Sequence, residues 1–123
     1  MVQLKGRWLV AALALAACHD VERQEITVLD APPLPFEVSD DRIQLTEGTA
    51  IVLRITLVDA HGYAFPPDEI TWSSSGPAAS ILGISLSDNV YVVSGEAEGS
   101  VTLTGEGDAF ASPSRIVVDV VPQ

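Results

Sequence analysis

Cysteine and positive charge are scarce in this sequence, and both shortages limit what the chain can be. One of the 123 residues is a cysteine, Cys18, so no disulfide can form within the chain and the fold must depend on an apolar core. The 6 basic residues are outnumbered by 17 acidic ones, and no lysine follows Lys5. A chain with a formal net charge of −11 repels phosphate backbones, which argues against a nucleic-acid partner.

Long hydrophobic runs are also scarce, and the one near the start of the chain is short. It covers Trp8–Ala17, whereas a helix that crosses a bilayer needs about 20 apolar residues. Lys5 and Arg7 precede the run, as positive charges precede the apolar core of a signal peptide. Because the run is apolar all round, it is not a good amphipathic helix. We therefore predict that residues 1–17 form a signal peptide.

The end of this run, Leu15-Ala16-Ala17-Cys18, resembles the lipobox of bacterial lipoproteins. The resemblance implies that residues 1–17 are removed and that the Cys18 thiol carries a diacylglyceryl group with palmitate-like chains. Loss of Lys5 and Arg7 would then change the formal net charge from −11 to −13. The alternative is an ordinary secretory signal, cleaved near Ala14–Ala16, with an unmodified Cys18.

The residue after Cys18 also bears on location. It is His19 rather than the aspartate that is typical of lipoproteins retained in the inner membrane of enterobacteria. The resemblance therefore implies an outer-membrane lipoprotein, if the source has an outer membrane. An acidic chain gains no attraction from anionic headgroups, so its binding to the membrane would depend on the acyl chains.

Residues 18–37 are predicted to form an acidic, proline-rich tether. Its first part is polar, Ile26–Leu29 is a possible first strand, and Ala31-Pro32-Pro33-Leu34-Pro35 favours an extended polyproline conformation. We interpret the tether as a spacer that lifts a domain off the membrane. The alternative is a polyproline ligand for an aromatic groove of a partner.

Residues 38–123 have a hydrophobic period of two, which predicts an all-β domain. About seven short strands with turn signals every 8–12 residues predict an immunoglobulin-like antiparallel β-sandwich. Turn signals lie at Asp59–Gly62, Ser74–Pro77, Asp88-Asn89 and Gly95–Gly99. The predicted inward side chains are Ile43, Leu45, Ile51, Leu53, Ile55, Leu57, Ile70, Trp72, Val101, Leu103, Ile116, Val118 and Val120, and Ile84 and Leu86 are assigned to a further short strand.

Three segments resemble the group 2 bacterial immunoglobulin-like domain: Asp59-Ala60-His61-Gly62, Ile70–Ser74 and Gly99–Leu103. The resemblance covers roughly residues 40–121. It implies a sandwich with Trp72 in the core. Members of the family often occur in surface and adhesion proteins, so the resemblance also implies an adhesive or structural role in the cell envelope.

No catalytic set of residues is recognisable. Neither His19 nor His61 has a cysteine or carboxylate at a spacing typical of zinc sites, and Ser73–Ser75 lack the surroundings of a nucleophile elbow. We predict that the chain is not an enzyme and has no cofactor or metal. Acidic turns such as Glu106-Gly107-Asp108 leave a Ca²⁺ site open, although solvated turns are the more common outcome.

Three aromatic residues in predicted loops are candidate partner contacts: Tyr63, Phe65 and Phe110. An apolar ring in a polar loop can anchor a protein or glycan partner, or it can tuck under the sandwich edge. The sequence thus predicts a lipid-anchored, non-catalytic module of the cell envelope, with adhesion as one role. The alternative is an accessory lipoprotein subunit of a larger envelope complex, and an exposed edge strand would suit either.

Overall fold

Nine β-strands lie within residues 20–85, 88–108 and 110–123, the residues that the computed structural model describes. A 3₁₀ turn at Pro67–Glu69 precedes the fifth strand. The strands are β1 (Arg23–Asp30), β2 (Glu37–Val38), β3 (Arg42–Thr46), β4 (Ala50–Val58), β5 (Thr71–Ser74), β6 (Ala79–Ser85), β7 (Val90–Gly95), β8 (Gly99–Glu106) and β9 (Ser114–Val121).

The strands form two sheets with a shared core, which confirms the predicted all-β sandwich. The first sheet has the order β1-β4-β7-β6, and all its neighbours are antiparallel. The second sheet has the order β2-β3-β9-β8-β5. In it, β3 runs parallel to β9, which is one departure from a purely antiparallel arrangement, and the other neighbours are antiparallel.

The core consists of aliphatic side chains that alternate along the strands and meet between the sheets. Because successive side chains in a strand point to opposite faces, one face of each strand is buried and the other is more exposed. The predicted inward faces of β3, β4, β8 and β9 are confirmed. The side chains buried almost completely are Ile43, Leu45, Ile51, Leu53, Ile55, Leu57, Val93, Leu103, Ile116 and Val118.

Trp72 packs against this core, as predicted, and a glycine makes room for it. Register pairs Trp72 of β5 with Gly105 of β8, and a Cβ atom at Gly105 would lie 3.0 Å from the indole ring. The indole also meets Tyr91 of the other sheet edge-on, with ring centroids 6.1 Å apart and an interplanar angle of 72°. Trp72 thus contacts strands of both sheets.

The possible first strand at Ile26–Leu29 is confirmed and is longer than predicted, so Arg23–Asp30 belongs to the sandwich and not to a tether. Arg23–Asp30 pairs with β4 from Arg23 opposite Val58 to Asp30 opposite Val52. Ile26 and Val28 pack against the core, and both are partly buried, because they lie on the inward face of this edge strand. The sandwich therefore begins before residue 38.

The proline-rich segment is not a spacer between membrane and domain. It connects β1 in the first sheet with β2 in the second, so it crosses from one sheet to the other. The Thr46 hydroxyl donates to the Pro35 carbonyl at 3.2 Å, and Phe36 packs against the core. Three prolines suit this crossing because it needs extended chain without strand pairing.

The strand predicted around Ile84 and Leu86 begins earlier than expected. β6 covers Ala79–Ser85 at the edge of the first sheet, and Leu86 lies outside the described residues. The pairing of β6 with β7 is irregular between Gly83 and Ser85, and Ile84 is 53% exposed rather than inward. A bulge of this kind breaks the alternation of faces. The predicted turn at Asn89 is confirmed, with φ of 60°.

Candidate functional site

One end of the sandwich gathers the start of the described chain and two loops, and we call it the N-terminal end. It arises because β1 begins where β4 ends, with Arg23 paired to Val58. The opposite end holds the turns at residues 46–49 and 95–99, where the Gly48 N–H donates to the Gly95 carbonyl. The N-terminal end comprises residues 20–22, 59–66, 107–108 and 110–113.

The N-terminal segment is fixed to this end by side-chain hydrogen bonds. The Asp20 carboxylate accepts from the Ser112 backbone N–H at 3.3 Å and from the Ser112 hydroxyl at 3.2 Å. The Gln24 amide donates to the Arg115 carbonyl at 2.8 Å and accepts from the Ser114 hydroxyl. These bonds join β1 of the first sheet to the start of β9 in the second. Sequence reasoning missed this contact, although the alternation of Gln24, Ile26 and Val28 was a signal for it.

The turn after β4 is organised by Asp59, whose side chain is buried. Its Oδ1 accepts from the backbone N–H groups of His61 at 2.8 Å and Tyr63 at 3.0 Å, which closes an Asx turn. Gly62 has φ of 86°, a conformation that suits glycine. This explains the spacing Asp-x-x-Gly. The turn presents the Tyr63 ring, which is 72% exposed and lies parallel to the His61 ring at 6.4 Å.

Phe65 and Phe110, the other two predicted contact residues, pack together. Phe65 is only 7% exposed and belongs to the core, so the idea that it anchors a partner is wrong. Its ring centroid lies 4.7 Å from that of Phe110, which is partly buried. Both rings close the end of the sandwich, which is the alternative that the sequence left open. Tyr63 is the exposed member of the three.

An acidic cavity of about 440 Å³ lies beside these rings. Within the described residues, no three histidine, cysteine or carboxylate side chains lie close enough to hold a metal ion. The cavity is lined by Asp68, Glu69, Thr71, Gly107 and Asp108.

Ser74 and Ser75, two of the three serines at the end of β5, have structural contacts. The Ser74 hydroxyl donates to the Gly76 carbonyl at 2.8 Å, and the Ser75 hydroxyl accepts from the Thr102 backbone N–H at 2.9 Å. Both contacts shape the turn after β5. His61 lies in the turn after β4, and His19 lies outside the described residues.

Two buried polar groups face each other between the sheets. Trp72 Nε1 and Tyr91 Oη are shut off from solvent, and neither has a hydrogen-bond partner of ordinary geometry. Burial raises the pKa of the Tyr91 hydroxyl above its usual value, and the nearby Trp72 indole partly opposes that rise. The Tyr91 hydroxyl has only this imperfect contact with the indole in place of a well-formed hydrogen bond, so the pair is a weak point of the core.

A second cavity, of about 430 Å³, runs along β2 and β3 and is lined by Glu37, Val38, Ser39, Arg42 and Gln44. Arg42, its basic group, is already engaged, because its Nε donates to Asp119 at 2.8 Å. The Ser100 hydroxyl also donates to Asp119 at 2.8 Å. The hydrogen bond from Ser100, which has the larger effect, and the hydrogen bond from Arg42 both lower the pKa of the Asp119 carboxyl.

Among the strands that the structure describes, β6 is an edge of the first sheet, and its residues carry no charge. Leu82 is 67% exposed and Ile84 is 53% exposed, and no charged residue lies between Glu69 and Asp88. An apolar edge strand without charge can pair with a strand of another chain. Sequence reasoning considered an edge strand but could not say which one is open.

The fold is similar to that of solved surface-layer domains. Domains 4 and 5 of the S-layer protein SbsC match with a TM-score of 0.51 and 20% identity, over 79% of this chain and 54% of theirs. Domains 4–9 of SbsC match with a TM-score of 0.55 and 23% identity, over 85% of this chain and 15% of that one. Domains 1–6 of SbsC match with a TM-score of 0.54 and 23% identity, over 85% of this chain and 13% of that one. At this identity the likeness concerns the fold.

No protein-family model matches the chain, and no curated protein matches it. The resemblance to the group 2 bacterial immunoglobulin-like domain therefore stays a prediction. So does lipidation, since Cys18 and the predicted signal peptide lie outside the described residues. Among the residues that the structure does describe, none belongs to a helix long and apolar enough to span a membrane.

Proposed function

We propose that this chain is a lipid-anchored module of the bacterial cell envelope that binds or supports other envelope components and performs no catalysis. The observation that carries the proposal is the position of the folded domain relative to the lipobox. The domain is fixed from Asp20, two residues after Cys18. A domain that starts directly after a candidate lipid attachment site fits a mature lipoprotein.

The similarity to SbsC domains supports the envelope role. Those domains belong to an S-layer protein and share the sandwich fold. Resemblance to the group 2 bacterial immunoglobulin-like domain adds adhesion as a specific role for this chain. Because His19 rather than aspartate follows Cys18, the outer membrane is the proposed destination in a bacterium that has one.

Membrane attachment is tested by comparing the full-length chain with its Cys18→Ser variant in a bacterial host. We expect the unchanged chain in the membrane fraction, with residues 1–17 missing and acyl chains on the N-terminal cysteine by mass spectrometry. The variant should lose the acyl mass and leave the membrane fraction. An unchanged chain that is released without acyl mass would refute the anchor and favour the ordinary secretory signal.

A second candidate function is that of an accessory lipoprotein subunit in a larger envelope complex. The open β6 edge favours it, because Leu82 and Ile84 expose apolar surface beside unpaired backbone groups. Amine cross-linkers are unsuitable, since no lysine follows Lys5. A photo-cross-linking residue at Leu82 is therefore compared in intact cells with one at Ala97, an exposed turn residue. One dominant protein adduct at Leu82 alone would establish the subunit role, and equal labelling at both positions would argue against it.

A further inference from the structure

We infer that the N-terminal end of the sandwich faces the bilayer that holds the lipid of Cys18, with the Tyr63 ring among the lipid headgroups. This inference rests on the proposed lipid anchor. It goes beyond the anchor because it assigns an orientation to the domain and an interaction surface to Tyr63. The surface comprises residues 20–22, 59–66, 107–108 and 110–113.

The length of chain between lipid and domain is the first argument. Only His19 separates Cys18 from Asp20, and two residue steps of extended chain span at most about 7 Å. The Asp20 carboxylate is already bound to the Ser112 N–H and hydroxyl of the folded domain. A domain on so short a connection cannot stand away from the membrane surface.

The direction of the strands is the second argument. The Glu22 N–H donates to the Val58 carbonyl at 2.8 Å, so the chain enters the first sheet at the last residue of β4. The nine residues of β4 then lead away from that point. At about 3.3 Å per residue the strand is roughly 30 Å long, which puts the opposite end of the sandwich far from the lipid.

Tyr63 is the third argument, because its ring suits a membrane interface. An aromatic ring with a polar hydroxyl partitions to the headgroup layer, where one part is apolar and the other hydrated. The two N–H bonds to Asp59 fix the backbone of the turn, so the exposed ring is presented at this end rather than folded back.

The charge of this end determines which lipid headgroups the test of the orientation should use. The residues of this end are acidic, because they include Asp20, Glu22, Asp59 and Asp108 and neither arginine nor lysine. Anionic headgroups would repel this set, so the acyl chains supply the attraction and a zwitterionic surface tolerates close contact. We therefore choose vesicles of phosphatidylcholine as the probe.

The experiment uses the full chain, lipidated in a bacterial host and reconstituted into phosphatidylcholine vesicles that contain a nitroxide on some headgroups. Cys18 is the only cysteine in the chain, and lipid occupies its thiol, so an introduced cysteine takes a fluorophore uniquely. Ala60→Cys labels the N-terminal end, and Ala97→Cys is the matched control in an exposed turn at the opposite end. Ala111→Cys, exposed in the loop before β9, replaces Ala60→Cys if that variant does not fold.

We expect the fluorophore at position 60 to be quenched roughly threefold or more above the one at position 97, because the two ends lie about 30 Å apart and nitroxide quenching acts at short range. Equal quenching, or stronger quenching at position 97, would overturn the inference. A chain without acyl mass would reject the anchor and the orientation together, whereas a lipidated chain with equal quenching rejects the orientation alone.

Further variants distinguish the contribution of the short connection to the orientation from that of the Tyr63 ring. A flexible insert of about ten glycine and serine residues between His19 and Asp20 should lower quenching at position 60 to that at position 97. Tyr63→Ser should lower it in part, and Tyr63→Phe should lower it less. If the insert changes nothing, the connection does not set the orientation and the inference fails. If Tyr63→Ser changes nothing, the ring is not in the headgroup layer.

Discussion

Gly107 offers a sharp test of how the N-terminal end is closed. A Cβ atom at this position would lie 2.6 Å from the Glu69 carbonyl oxygen, whereas ordinary contact begins near 3.4 Å. The oxygen belongs to backbone rather than to a flexible side chain, and the Pro67–Glu69 turn is held by Glu69 N–H to Pro66 and Ile70 N–H to Pro67. The Glu69 carbonyl therefore cannot move away by the missing 0.8 Å, the difference between 2.6 and 3.4 Å, without distorting the turn.

The expected cost of Gly107→Ala is that of overpacking, about 1–3 kcal/mol. For a domain of this size each kcal/mol lowers the midpoint of thermal unfolding by about 4–8 °C, so a fall of roughly 4–24 °C is expected. The assay is thermal unfolding of the chain without residues 1–17 and with Cys18→Ser, followed by circular dichroism and by the fluorescence of Trp72. Trp72 is a specific reporter because the other tryptophan, Trp8, is removed.

Gly76→Ala is the matched control. Its added Cβ atom would lie 3.5 Å from Val101 Cγ1, an ordinary contact, and its backbone needs no positive φ. We expect its free energy of unfolding to change by less than about 1 kcal/mol, because a compatible glycine-to-alanine change mainly restricts the unfolded chain. A Gly107→Ala variant as stable as the parent, or a Gly76→Ala variant just as damaged, would refute the packing of Gly107 on the Glu69 carbonyl.

Three further predictions concern hydrogen bonds and titrating groups. Gln24→Ala should lower the free energy of unfolding in urea by about 1–2 kcal/mol through two lost cross-sheet bonds, while the exposed Glu25→Ala changes it by about 0.5 kcal/mol or less. Burial raises the Tyr91 pKa, so the tyrosine ionises at lower pH in the unfolded chain than in the folded one, and stability should fall as pH rises past 10. The melting temperature of Tyr91→Phe should not show this fall. Ser100→Ala should reduce stability at pH 7, and in acid titrations the difference from the parent should shrink as pH falls below 3.8 and be lost below the lowered pKa of the folded Asp119 carboxyl.

The central strands could be predicted from the sequence because their burial repeats locally. Ile51, Leu53, Ile55 and Leu57 alternate without interruption, and this period alone assigns them to one buried face. β1 was harder, because an edge strand keeps only part of its inward face apolar. In β1 that face is Gln24, Ile26 and Val28, and the flanking polar and proline-rich residues made it look like a tether.

The candidate site depended on contacts between distant parts of the chain. Phe65 lies in a loop, and its burial follows from Phe110, which is 45 residues away in sequence. The room for Trp72 likewise comes from Gly105 on a different strand. Periodicity describes one strand at a time and carries no information on such pairs. The exposure of Tyr63 could be predicted, because the Asp59 turn fixes it locally.

The two ends of the described chain leave the sandwich in opposite directions, and this has a mechanical consequence. β1 starts at the N-terminal end, while β9 finishes at the other, where Val121 accepts from the Glu47 N–H. Tension between the two ends acts along the strand axes and not across them. For β1 to separate from β4 under this tension, it must slide along β4, and all seven paired positions must break together. The pairs cannot open one at a time. A sandwich loaded in this way is pulled in shear, along its strands.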